Sequence, residues 1–371
     1  MPPFNPTAAR VERELKHGKP LVGCRFDPSG RFLFASAQDD TVQRFDLVTG
    51  AKTAFVGHRC WARGLAFVAP KPAHAAKAVP PKPVGEPFAA VGLGGFVEPA
   101  KIEPFTLITA DYHGNLTWWP GGAATPKPIR TVAAHDGWAR AVAVSPDGLT
   151  VASCGNDHTV KLWKAADGSA IRTLEGHESH VYNVAFHPAG GRLVSCDLKG
   201  VVKDWDWKTG KCERDIDAKV LAKYDTGFMA DIGGARGMAF QSDGSAVAVC
   251  GITNVTNAFA GVGNPVVVVI DWKDGKGKVL KPKAAFQGTA WGVAFHPSGA
   301  VIAAGGGSGG RVWFWNPDDP ASTHTITVPT HCRDFALSPT GDRFAVAGAN
   351  GTAYVYDFTG TGATAPPPPK K

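Results

Sequence analysis

Residues 135–164 read HDGWARAVAVSPDGLTVASCGNDHTVKLWK. An apolar run up to Val144 breaks at Ser-Pro-Asp-Gly. A second run, Thr150 to Cys154, turns through Asn156 and Asp157, and an alternating segment then closes on Trp163. Apolar runs of five or six residues, rich in Val, Ala and Thr and bounded by Pro, Gly, Asn and Asp, are short strands joined by tight turns.

The pattern recurs outward in both directions. The first strand and its turn reappear as CRFDPSG, AVAVSPDG, NVAFHPAG, GMAFQSDG, GVAFHPSG and DFALSPTG, with apolar anchors at Phe26, Val144, Phe186, Phe240, Phe295 and Leu337. Phe67 in GLAFVAP is a seventh anchor that runs into an insertion. Nineteen residues after the anchor stands a second landmark: Phe45, Trp163, Trp205 and Tyr356. Trp315 falls one residue later, while Trp119 and Ile270 follow their anchors by 52 and 30 residues, with the register restored after each stretch. A period near forty residues marks a repeat architecture. One small sheet cannot bury both its faces, but sheets set radially cover one another and leave only short edges. Seven copies predict seven such sheets. The last runs out of residues after Asp357, and ARVEREL, before the first copy, matches the strand that elsewhere precedes a Gly-His pair. The N-terminal strand is expected to complete the last sheet and close the ring.

These repeats resemble the WD40 family, which implies an all-β, seven-bladed β-propeller. In that family a His, a Ser or Thr, a turn Asp and a Trp form a hydrogen-bonded tetrad. The third repeat has the whole set, His135, Ser153, Asp157 and Trp163, and the first keeps His17 and Asp39 at the same separation of 22 residues. His58 and His177 also match. Lys199, Gly309 and Asn350 stand where the Asp is expected, and the last three repeats lack the His. Their blades should be held mainly by apolar packing.

Residues 1–360 are read as one propeller. Residues 69–104, rich in Pro, Ala and Lys, form an expected bottom-face insertion in blade two. Residues 252–265 form a top-face insertion in blade five, and a further excess near residues 218–233 precedes that blade. Residues 361–371, with their Pro run and two Lys, read as a disordered tail. The chain's 371 residues carry a formal charge of +7, partly in these segments, so basicity is read chiefly as solubility. Seven scattered cysteines without a C-x-x-C pair are expected as reduced thiols. No apolar run is long enough to span a membrane and no secretory leader is visible, so a soluble cytoplasmic protein with no membrane association is expected.

No nucleophile elbow, zinc motif or Walker loop occurs, and the GGGSGG run at 305–310 reads as a strand-to-strand turn. Catalytic residues, metal ions, cofactors and a small-molecule substrate are therefore not expected. One register stands out. Four residues before each anchor come Val22, Arg63, Arg140, Tyr182, Arg236, Trp291 and Arg333. Four Arg in seven slots is a concentration, given sixteen Arg in the chain. Two positions earlier stand Trp61, Trp138, His180 and His331. The WD40 resemblance implies that this register lies at the top mouth of the central channel, where peptide partners insert. Guanidinium forks suit carboxylate or phosphate, and Arg, Trp and Tyr dominate binding hot spots. The alternative is a structural ring in which the Arg pair with acids such as Asp334 or Asp231. The leading expectation is a non-catalytic protein–protein interaction scaffold whose top face binds a partner segment, acidic or phosphorylated. A propeller enzyme of lactonase or hydrolase type at the channel, or nucleic-acid binding through the Arg rim, are the alternatives.

Overall fold

The computed structural model describes residues 4–69, 104–257, 262–316, 318–358 and 360. Each repeat folds into an antiparallel four-stranded sheet, and seven such sheets form the propeller. Blade three is representative, with strands Ala139–Val144, Thr150–Gly155, Val160–Lys164 and Ala170–Leu174 running from the channel outward. The innermost strands of successive blades touch in order around the ring, and the seventh touches the first.

Burial follows from this stacking. Strands in the second position, such as Phe32–Ala37 and Thr150–Gly155, are buried along their whole length because a blade lies against each face. Outer strands such as Lys211–Asp217 alternate instead, with one side in water. There is accordingly no single core. Seven apolar clusters each join two neighbouring blades, as Leu162 and Val184 join Trp205 between blades three and four. Blade five has no tetrad and is held by Val247, Val249, Val268 and Ile270 against blade four.

The ring closes between the two ends of the chain. Strand Arg10–Lys16 pairs with Thr352–Asp357 as the outermost strand of blade seven, from Arg10 opposite Asp357 to Lys16 opposite Thr352, with one slip between Val11 and Arg13. Innermost strands of adjacent blades approach closely enough to exclude a side chain. A Cβ on Gly292 would lie 2.6 Å from the amide nitrogen of Phe335, and one on Gly23 2.9 Å from Arg63 O.

In blade three, Trp163 Nε1–H donates to Ser153 Oγ at 2.9 Å, and Ser153 lies 2.7 Å from His135 Nε2. His135 Nδ1 lies 2.9 Å from Asp157. A carboxylate only accepts, so Nδ1 carries the ring proton and the serine hydroxyl donates to Nε2. Every polar group in the buried chain is thereby satisfied. Blade four departs from the expectation that Lys199 replaces the Asp. Asp197, two residues earlier, accepts from His177 at 2.9 Å, while Ser195 and Trp205 complete the set. Blade two does the same with His58, Thr109, Asp111 and Trp119. The carboxylate reaches the imidazole either from the last residue of the second strand or from the turn two residues on.

Residues 252–265 also differ from a simple inserted loop. The second and third strands of blade five lengthen to Ala246–Asn257 and Val262–Asp271, so the insertion is chiefly a continuation of the sheet. The excess before this blade folds as a separate hairpin, Ala222–Asp225 with Ala230–Gly233, whose Lys223 donates to Val255 O at 2.6 Å. Gly305 to Gly307 and Gly309 to Gly310 are paired strand residues around a tight turn. The expected bottom-face insertion, apart from its end residues, and the tail at 361–371 lie outside the described residues. Among the described residues no helix is long and apolar enough to cross a membrane.

Candidate functional site

The rim register has a backbone cause. In six innermost strands the pairing slips by one residue at the same point, between Leu21 and Gly23, Ala62 and Gly64, Ala139 and Ala141, Val181 and Asn183, Ala290 and Gly292, and Cys332 and Asp334. The residue passed over is Val22, Arg63, Arg140, Tyr182, Trp291 or Arg333 in turn. A β-bulge takes its extra residue out of the ladder and re-aims the side chain. Arg236, the seventh, stands just before its strand, where its amide donates to Cys250 O at 2.7 Å. The position after the bulge ties two blades to their neighbours. It is Gly or Ala in five blades, whereas Asn183 donates to Ala235 O and Asp334 accepts from the amide of Cys24 at 3.0 Å.

Three of the four Arg interleave with aromatic rings. The guanidinium of Arg140 lies 4.4 Å from the Trp138 ring and 4.3 Å from Tyr182. Arg236 lies 4.7 Å from Tyr182 and 5.2 Å from Trp291, and Arg63 is also 5.2 Å from Trp291. The order Trp138, Arg140, Tyr182, Arg236, Trp291, Arg63 is a continuous cation–π ladder through blades two to six. Hydrogen bonds add to it: Arg140 Nε donates to Asn156 Oδ1 at 2.7 Å, and Arg63 Nη2 to Arg236 O at 3.2 Å. Arg333 stands outside the ladder, beyond Val22.

Charge at this end of the channel is not balanced. Among the described residues, Arg63, Arg140, Arg236 and Arg333 form no ion pair. Among the described residues that line the cavity beneath the rim, Asp334 is the carboxylate, and it serves the Cys24 amide and lies 3.7 Å from Arg25. Asp231 lies in the hairpin before blade five, opposite Tyr224. Among the described residues none of the four Arg is ion-paired with Asp334 or Asp231. Arg236 has its Nε buried without a hydrogen-bond partner. Burial, first of all, lowers its pKa; Tyr182 pulls the other way, and the positive charges of Arg63 and Arg140 add to the lowering.

Beside the ladder lies an aromatic shelf. Trp138 stacks on Tyr112 with centroids 4.2 Å apart and planes 4° from parallel, and Trp61 follows at 6.2 Å. Trp61 and Trp138 remain 37% and 41% exposed, which is high for Trp in a packed protein. His331 faces the depression between Arg333 and Trp291, while His180 leans on His158 at 5.3 Å.

Two contributors were missed from the sequence. Tyr112 is in the loop after Asp111, and no strand register points to it. Arg25 lines the channel, donating to Phe335 O at 2.8 Å. Its signal was present, since the other six repeats have Ala at the position before the anchor. Among the described residues no group of three His, Cys, Asp or Glu side chains is placed to hold a metal ion. The arrangement offers fixed guanidinium donors, uncompensated positive charge and exposed aromatic faces at one opening.

Comparison with known families gives a match. The WD domain, G-beta repeat, matches at residues 10–46, 126–164, 168–206, 280–316 and 322–357, together more than half of the chain. These segments cover the first, third, fourth, sixth and seventh repeats. No curated protein matches the sequence.

Proposed function

The chain belongs to the WD40 repeat family, and on that premise we propose that it is a non-catalytic interaction scaffold whose channel mouth docks an acidic or phosphorylated segment of a partner protein. WD40 propellers generally mediate protein–protein interaction and are generally non-catalytic. The observation that carries the specific reading is the uncompensated Arg cluster, three of whose guanidinium groups are held by Trp138, Tyr182 and Trp291 instead of by carboxylates. Ordering long cationic side chains in advance lowers the entropic cost of binding, and an anionic segment would supply the missing countercharge. Seven free cysteines fit a reducing cytoplasm.

The test is affinity capture from the native lysate by the wild type and by the variant with Arg63, Arg140, Arg236 and Arg333 all replaced by Ala. A partner retained only by the wild type, and eluted by salt, supports the reading. Equal recovery by both proteins would remove the mouth as the docking site.

A further inference from the structure

Val22 is the one short side chain in the rim register, and the surface dips above it. The depression is about 970 Å³, counting the space open to solvent, and its lining includes Trp61 and Tyr112 of blade two, Trp291 of blade six and His331 of blade seven. Blade six shapes one wall. Its first strand, Gly288–Phe295, has eight residues where that of blade three has six, and the added backbone pairs through Gly288 with Gly307 and Thr289 with Gly306. Side chains are excluded there. A Cβ on Gly307 would meet Gln287 O at 2.1 Å, and one on Gly306 would meet the His331 Cβ at 3.0 Å. The hollow is thus a product of tight backbone packing within blade six and between blades six and seven. Arg63 and Arg333 flank it.

We propose that the segment docked at the mouth carries an aromatic side chain flanked by acidic residues, and that this ring seats over Val22 while the acidic groups meet Arg63 and Arg333. The inference rests on the proposed acidic-segment reading and adds the class of residue the segment must contain. Charge complementarity sets the flanks, because neither Arg has a carboxylate partner among the described residues. The walls set the centre. Trp61, Tyr112 and Trp291 offer ring faces and edges, and an inserted aromatic ring packs offset or edge-on against them. A purely acidic chain would leave the exposed Trp61 ring in water.

Calorimetric titration of the full chain with two probes tests this: poly-L-glutamate, and a glutamate-rich random copolymer of glutamate and tyrosine of matched length. The copolymer is expected to bind the wild type at least about fivefold more tightly per chain than poly-glutamate. In Val22→Phe, which fills the hollow, and in Trp61→Ala, which removes a wall, the ratio of the two affinities should fall toward one. The Trp61→Ala arm remains informative if Val22→Phe fails to fold. A ratio near one in the wild type, or an undiminished ratio in the folded variants, overturns the inference. In either case the acidic-segment reading stands, provided poly-glutamate binds and the quadruple Arg variant loses it. Absence of binding by both polymers would remove the acidic reading and this inference together.

Discussion

Arg140 and Arg236 share a single ring, their guanidinium carbons lying 4.3 and 4.7 Å from the centroid of Tyr182. Tyr182 therefore spaces two like charges that burial and mutual repulsion would otherwise disperse. Replacing it by Ala should free both side chains and weaken binding of an acidic segment about tenfold. The loss in folding stability should be about 1 kcal/mol, within the range of a partly desolvated cation–π contact. Tyr182→Phe keeps the ring and should retain most of the affinity. Titration of the two variants, with urea unfolding alongside, checks this.

Arg333 and Arg140 should separate binding from stability. Arg333→Ala removes a side chain outside the ladder and should leave stability within about 0.5 kcal/mol, the range for surface changes. Arg140→Ala also loses two ring contacts and a bond to Asn156, and should cost about 1 kcal/mol more. Both should lower affinity, and the remaining affinity should fall less steeply with salt. A destabilised Arg333→Ala protein would show that this Arg serves the fold.

The His–Asp networks of blades two and four show what was legible in the sequence. The propeller was visible because its cause is local and repeated: a strand, a turn, another strand, seven times over. The carboxylates were only partly visible. The spacing of 22 residues from His135 to Asp157 points to Lys199 in blade four, yet the imidazole of His177 takes Asp197, the last residue of its strand. Thr-Ala-Asp at 109–111 and Ser-Cys-Asp at 195–197 carried that signal in plain view. The rim register was legible by counting back from the anchors. The cation–π order was not, because it depends on how adjacent blades bring Tyr182 between Arg140 and Arg236.

Ser195 is fully buried and links Trp205 to His177. Ser195→Ala should cost about 1 to 3 kcal/mol, since it leaves the indole N–H and the imidazole Nε2 without partners. Lys199→Ala, at the position where the spacing had placed the carboxylate, should change stability by less than about 0.5 kcal/mol. Urea midpoints of the two variants distinguish the assignments directly.

Acid should weaken the fold through its bonded carboxylates. Burial alone would raise the pKa of Asp46, but hydrogen bonds from Arg31, Val48 and Thr49 outweigh it and hold the carboxyl at about 2, below its ordinary 3.8. A group depressed on folding contributes stability that is present above its unfolded pKa and lost as pH falls through the folded one. Melting temperature should therefore be steady above about pH 5 and decline below pH 4 toward 2. Asp46→Asn should be less stable at neutral pH and show a shallower acid decline, as followed by thermal melts across the pH range.

The pairing of Arg10–Lys16 with Thr352–Asp357 has a consequence for how the molecule comes into being. The strand that finishes blade seven leaves the ribosome before every other strand of the propeller, and its partner leaves after them. During synthesis that early strand carries an open row of backbone donors and acceptors with nothing of its own to join. For that interval the growing chain is a template that another strand could occupy, including the same segment of a sibling chain. The final pairing also joins the first and last strands of the propeller, the kind of contact that forms slowly. The native ring is thus secured by its latest event, and before that event six finished blades remain an open arc.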